Sequence, residues 1–204
     1  MDSGARSTTR RLPPGSHGIP ADVVARNQRE RMVAAMAEEC AERGYAGASV
    51  ASVAKRAGVS SVTFYKQFAG KRDCMLAAHR LLLGRLLEEI DRAREVESRE
   101  EAKVRAAIRT ALALLVADPP SARLLTVEVL AAGPEGAKCH DAAIEALAAR
   151  LRNREAGDDS PASTGDWIAV AGMLALAGKL VISGEAARLA ELEDELVALV
   201  ASRA

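Results

Sequence analysis

Apolar positions in this chain fall on helical periods almost from end to end. From about Ala21 the pattern becomes helical, and Met32, Val33, Met36, Ala37 and Cys40 make one stripe at i, i+1, i+4, i+5 and i+8. Gly44 follows the last turn and is placed to supply a left-handed helix end. Ser49 then precedes Val50, Val53, Ala54 and Ala57, a spacing of i, i+3, i+4 and i+7. That predicts a two-turn helix capped by the Ser49 hydroxyl and stopped at Gly58. Ser60 caps the next short segment, Ser61 to Phe68, in which Phe64 and Phe68 stand four apart and share a buried face. Ala69-Gly70 interrupts the pattern, and Lys71 opens a much longer helix. Two short helices joined through Ala57-Gly58-Val59-Ser60 make a helix-turn-helix, with Gly58 allowing the sharp turn and Val59 tucked between.

The remainder reads as further helices. One continues from Met75 to Ala93 with Leu76, Leu83, Leu86, Leu87 and Ile90 on its apolar side. A charged patch, Arg92 to Arg105, separates it from the run Ile108 to Val116. Asp118-Pro119-Pro120 breaks the chain and opens a helix over roughly Ser121 to Ala132, ended by Gly133-Pro134. Another is expected from Glu135 to Arg154, then a loop over Gly157 to Pro161. Thr164 or Asp166 is expected to cap the next helix, which is apolar nearly all round from Trp167 to Ile182 and so must be buried on more than one side. Leu189, Leu192, Leu196, Val197 and Val200 mark a final amphipathic helix. The fold class is therefore all-α.

Composition sharpens this picture. Of the 204 residues 49% are hydrophobic but only 2% aromatic, so Ala, Leu and Val, with strong helix formers Glu and Arg, carry the chain. No apolar stretch approaches about 18 uncharged residues, as a membrane span requires. The start, MDSGARSTTRRLPPGSHG, lacks the apolar middle of a signal peptide and reads as a disordered basic tail over residues 1–20. Cys40, Cys74 and Cys139 are odd in number, far apart and without metal spacing, which suits a reducing cytoplasm and no metal or other cofactor. Net charge is zero but uneven: residues 1–75 hold 12 Lys or Arg against 7 Asp or Glu, and residues 76–204 hold 16 against 21. A basic first third beside an acidic remainder suits a nucleic-acid module joined to a part that avoids phosphates.

With Phe64 and Phe68 turned inward, Ser61, Val62, Thr63, Tyr65 and Lys66 face out, where hydroxyls, a phenol and an ammonium suit phosphates and base edges. The ordered series Val50-Ala51-Ser52-Val53-Ala54-Lys55-Arg56-Ala57-Gly58-Val59-Ser60, then Thr63-Phe64-Tyr65, Phe68 and Lys71, with Gly44-Tyr45 and Ser49 ahead, resembles the DNA-binding domain of the TetR family over about residues 26–80. The resemblance implies operator contacts from Thr63, Tyr65 and Lys66, with Tyr65 acting mainly on phosphate and Lys71 adding a phosphate contact. Ser61 stands where the family is often basic, and Val62 where a small residue is common. The candidate DNA-contacting set is Ser49, Ser60, Ser61, Val62, Thr63, Tyr65, Lys66 and Lys71. Lys55 and Arg56 are open between solvated charges and phosphate neighbours, and Tyr45 reads as packing.

The resemblance also implies an organisation: a helix-turn-helix domain over 21–75, and a ligand-sensing and dimerisation domain over 76–204. Two late helices, Glu135 to Arg154 and Trp167 to Ile182, would pair with those of a second copy, and Ala169, Ala171, Gly172, Ala175, Ala177 and Gly178 would allow close approach. Alternatively these small residues fill a monomer core. The sensor cavity is expected to be aliphatic with few polar handles, drawn from Thr126, Glu128, Cys139, His140 and Lys179, although each also reads as structural, Glu128 pairing with a neighbouring Arg and Lys179 snorkelling. Its candidate ligand contacts are Leu86, Val127, Glu128, Trp167 and Met173. The function expected is a dimeric regulator, most often a repressor, released from a double-stranded DNA operator by a small apolar or amphipathic effector. Without an effector, control would pass to a protein partner or to concentration. A helical enzyme is the remaining class, and no phosphate loop, metal spacing or triad supports it.

Overall fold

The computed structural model describes residues 20–151 and 161–201 and is helical throughout them. The expected basic tail, the end of the Glu135 to Arg154 helix and most of the following loop lie outside the described residues.

The first helix, α1 (Ala21–Gly47), is interrupted at Gly44, whose φ of +68° breaks the hydrogen-bond ladder near its end. The capping chemistry of α2 (Val50–Ala57) is reciprocal. Ser49 Oγ accepts from the Ser52 N–H and Ser52 Oγ accepts from the Ser49 N–H, each at 3.0 Å. Gly58 ends α2 in the left-handed conformation, φ +64° and ψ +38°. Ser60 caps α3 (Ser61–Gln67) by accepting from the Thr63 N–H at 3.0 Å. Then α4 (Lys71–Glu95) runs unbroken.

Four expectations about the later helices are corrected. The charged patch is largely helical: α5 spans Glu100–Ala117 and opens with two acidic residues where a helix N-terminus favours them. The helix expected over Ser121 to Ala132 is two pieces. Asp118 caps α6 (Pro119–Thr126), Val127 leaves helical geometry, and Glu128–Ala132 forms a 3-10 turn. The cap of α8 (Thr164–Ile182) is Ser163, which accepts from the Asp166 N–H while the Asp166 carboxylate accepts from the Ser163 N–H. Between them lies α7 (Pro134–Leu151). The final amphipathic segment is also split, into a 3-10 stretch Ala186–Leu192 and α9 (Glu193–Ala201).

Apolar burial is divided between two cores. One joins α1, α2, α3 and the first half of α4 around Phe64, Phe68, Met32 and Met36, and it also takes Leu124 and Ala132 from the later chain. The other joins the rest of α4 with α5 to α9 around Ile90, Ile108, Ile144 and Leu189. So α4 belongs to both, and the segment Leu124–Ala132 overlaps the boundary. The helix α8 is long and apolar enough to cross a membrane by length and composition, at mean hydropathy 1.6. Its inner residues Val170, Leu174, Ala177, Leu180 and Val181 pack in the second core. Against expectation it is one-sided in this chain: Ile168, Gly172, Ala175, Leu176 and Ile182 line an exposed strip.

Candidate nucleic-acid interface and sensor cavity

Packing fixes the outward face of α3. Phe64 and Phe68 are buried with ring centroids 5.4 Å apart, while Val62 is 68% and Tyr65 59% exposed. The Tyr65 ring meets Phe64 edge-on at 5.7 Å, which steadies it without burying its hydroxyl. Ser61, Val62, Tyr65 and Lys66 are exposed together, and Thr63 is half-buried with its hydroxyl 3.0 Å from that of Ser60. Ser49 and Ser60 are exposed at the helix starts, where their oxygens serve as caps. This is a short convex ridge carrying hydroxyls, one phenol and one ammonium, chemistry suited to a groove edge and its phosphates.

Two basic residues take other roles. The Lys71 ammonium donates to the carbonyls of Tyr45 at 2.8 Å and Ala48 at 2.9 Å, and lies 4.3 Å over the Tyr45 ring. It satisfies carbonyls left open where Gly44 ends the regular helix and so clasps the α1–α2 loop. Arg56 is similarly committed, pairing with Glu39 at 2.7 Å, Glu42 at 2.5 Å and Glu38 at 3.1 Å, all on α1. Burial alone would raise the Glu39 carboxyl, but hydrogen bonds from Ser52 and Arg56 outweigh it and hold it below its usual range. Lys55 stays exposed.

Behind this module lies a cavity of about 50 Å3 within the second core. Its wall includes Leu86, Ile108, Leu125, Leu147, Val170 and Met173, and among the described residues Thr126 is its only polar lining residue. The Thr126 hydroxyl already donates to the Ala122 carbonyl at 2.8 Å, leaving little to orient a polar ligand. Of the expected contacts, Leu86 and Met173 reach this wall, whereas Val127, Glu128 and Trp167 do not. Val127 instead lies against α8, where a Cβ built on Gly178 would come within 2.8 Å of its Cγ2. Trp167 is 38% exposed on the outer side of α8. Among the proposed polar handles, Lys179 is exposed and Cys139 and His140 are half-buried, none of them on the wall. Cys40 and Cys74 are buried, and burial pushes both thiols up to about 12, far from reactive.

Glu128 pairs with a neighbouring arginine and also reaches the end of α1, a contact with no local sequence signal. Buried at 6% exposure, it accepts from the Tyr45 N–H at 2.6 Å and from Arg123 Nε at 2.8 Å. Arg123 also donates to the Ala41 carbonyl at 2.9 Å. Together they bind the end of α1 to α6 and its 3-10 extension. A larger cleft of about 650 Å3 lies between α1, α4, α5 and α6, and shares Leu86, Leu115 and Leu125 with the cavity wall. Neither feature carries a local sequence pattern, because each joins residues far apart in the chain.

Known proteins bear on this arrangement. Residues 33–78 match the family model for bacterial regulatory proteins of the tetR family. No curated protein sequence matches the chain. Among solved structures, the transcriptional regulator FadR from Bacillus subtilis, solved with stearoyl-CoA, is 20% identical; the match covers 84% of this chain and 97% of that one, with a TM-score of 0.71. The fatty acid degradation regulator FadR from Bacillus halodurans is also 20% identical, over 85% of this chain and 94% of that one, TM-score 0.69. PfmR from Thermus thermophilus is 19% identical, over 82% and 97%, TM-score 0.58. The matched segment runs from the apolar stripe of α1 through both short helices into α4, and the fold beyond it follows these regulators. Residues 33–78 are thus similar to the DNA-binding segment of the tetR family of bacterial regulatory proteins, and the chain as a whole shares the fold of these solved structures.

Proposed function

We propose that this protein is a dimeric, sequence-specific DNA-binding repressor that leaves its operator when a small apolar or amphipathic effector enters the cavity. The observation that carries the reading is the α3 ridge, with Tyr65 and Lys66 turned outward by two buried phenylalanines. In this reading residues 21–75 bind DNA, residues 76–204 sense and dimerise, and Ser61, Val62, Thr63, Tyr65 and Lys66 meet the operator. The protein then works in the cytoplasm, where its DNA is.

The exposed small and apolar strip of α8 supports the dimer. A cavity lined by aliphatic side chains supports an alkyl or acyl chain as effector, and the likeness to a regulator solved with stearoyl-CoA points the same way. At about 50 Å3 the cavity is well below the roughly 150 Å3 that holds a benzene-sized guest, so entry requires its wall to move. That same small volume favours the second reading, control by a protein partner or by concentration.

One experiment separates these. Fatty acids, fatty acyl-CoA thioesters and uncharged alkanols are titrated against the protein on its operator, following Trp167 fluorescence and DNA anisotropy together. Release of DNA with a matching fluorescence change supports the effector reading, because ligand and DNA affinities are reciprocally linked. Silence of both signals across the panel favours the second. The dimer has its own test, Gly172→Arg. A Cβ at Gly172 meets nothing within 4 Å, so the variant should stay folded while sedimenting as a monomer. A folded, dimeric variant would place the interface elsewhere.

A further inference from the structure

We propose that Arg26, Arg29 and Arg80 form a second anchoring site for DNA, taking a backbone phosphodiester at the flank of the sequence met by α3. They line a cleft of about 430 Å3 between the start of α1 and the middle of α4, with Glu30, Ala77 and Leu81 completing its wall. Many other described arginines are answered by carboxylates: Arg105 and Arg109 by Glu193, Arg123 by Glu128, Arg150 by Asp91. Among the described residues no carboxylate pairs with Arg26, Arg29 or Arg80, and Glu30 is shared with Arg85 at 3.7 Å. Three like charges gathered in one cleft repel one another, and an anion placed between them turns that cost into attraction. A phosphodiester offers two acceptor oxygens, which match the forked donors of guanidinium groups.

The position of the cleft selects DNA over other phosphates. Arg29 lies 4.5 Å over the Phe68 ring and donates to the carbonyl of Gln67, the last residue of α3. The cleft therefore adjoins the end of the helix that carries Tyr65 and Lys66. Phosphate contacts of this kind fix a protein's register on the duplex without reading sequence. The inference rests on the DNA-binding reading of α3, and its test keeps the two apart.

The probe is a fluorescein-labelled duplex that the wild-type chain selects from a random pool, titrated by anisotropy between about 50 and 200 mM salt. The test variant is Arg26→Gln with Arg80→Gln, two exposed side chains whose loss leaves both cores intact; Arg29 is kept because it packs on Phe68. Each lost phosphate contact makes the slope of log affinity against log salt shallower by about 0.9. The double variant should show that change per bound protomer, with affinity several-fold lower and sequence preference unchanged. Arg188→Gln, which removes a charge paired with Glu185 near the other end of the chain, should leave the slope alone. An unchanged slope in the double variant, with Lys66→Gln still weakening binding, overturns the second anchor and leaves the α3 reading intact. A slope shift equal to that of Arg188→Gln reports net charge only and overturns it too. If Lys66→Gln and the double variant both bind like wild type, the α3 reading itself falls.

Discussion

The contact between Glu128, Arg123 and Tyr45 gives the sharpest energetic expectation. Glu128→Ala removes the acceptor of the Tyr45 N–H, which Gly44 has already separated from the helical ladder, and leaves Arg123 without its carboxylate. Breaking a buried ion pair from one side costs about 3–5 kcal/mol. The Arg123 side chain is 28% exposed, so water can reach it and the electrostatic part falls towards the lower end. A stranded backbone N–H adds about 1–3 kcal/mol when buried, and less here because Tyr45 is half-exposed. The expected loss is about 3 kcal/mol. Glu128→Gln keeps an oxygen for the Tyr45 N–H and removes only the charge, so it should lose about 1 kcal/mol.

Urea unfolding at fixed protomer concentration measures both, since dimer formation makes stability depend on concentration. With slopes of about 1–3 kcal/mol per molar urea, the alanine midpoint should fall by at least about 1 M. Adding Arg123→Ala closes a double-mutant cycle, and a coupling of about 1 kcal/mol or more between the two sites is expected. If Glu128→Ala stays within about 0.5 kcal/mol of wild type, or the cycle shows no coupling, the contact is incidental and the reasoning fails.

Other expectations follow from single features. Tyr65→Ala should weaken operator binding by about 1–3 kcal/mol with helicity intact, and unchanged anisotropy titrations would refute the outward ridge as the DNA contact. Gly178→Ala forces a Cβ to 2.8 Å from Val127 Cγ2 and 3.3 Å from Thr126 Oγ1, so it should cost about 1–3 kcal/mol in thermal or urea unfolding; a neutral result would mean that α8 and α6 separate freely. His79 is fully buried, and burial, then the nearby His140, push it down to about 4, against a smaller opposing pull from the backbone of Leu125. Because the unfolded chain takes up this proton near pH 6.5, stability should fall by up to about 3 kcal/mol as pH drops from 6.5 towards 4. His79→Leu should flatten that limb, and an unchanged pH slope would exclude His79 as its source.

Legibility in the sequence was uneven for physical reasons. The stretch from Ser49 to Lys71 was readable because caps, stops and core positions are local, and Ser49, Gly58, Ser60, Phe64 and Phe68 do what their neighbours require. The break at Val127 was not, since an Ala/Leu/Val-rich run supports a continuous helix. Its 3-10 continuation carries Glu128, which reaches a partner 83 residues earlier. Arg56 looked like an exposed cation, and only the packing of α2 on α1 shows three glutamates around it. Trp167 was misplaced because a helix apolar on every side has no visible phase. Adjacent residues Ile168 and Ala169 end up 57% and 4% exposed.

That missing phase in α8 bears on how the proposed sensor would work. The inner side of α8 gives Val170, Met173, Leu174 and Ala177 to the cavity wall, and its outer side is the strip proposed to meet a second copy. Gly178 brings the same helix against Thr126 and Val127, where α6 ends. Leu125 and Thr126 belong to the cavity wall, while Arg123, one turn back, grips the Ala41 carbonyl and Glu128 holds the Tyr45 N–H. An effector that enlarges a cavity of about 50 Å3 cannot push α8 outward without disturbing the proposed dimer contact, so α6 is the wall with less to lose. Movement of α6 would then pull on the end of α1 and tilt the helix-turn-helix packed against it. The cavity would need no polar recognition for this, because volume alone does the work, which fits a wall whose only polar residue among those described is already hydrogen-bonded within its own helix.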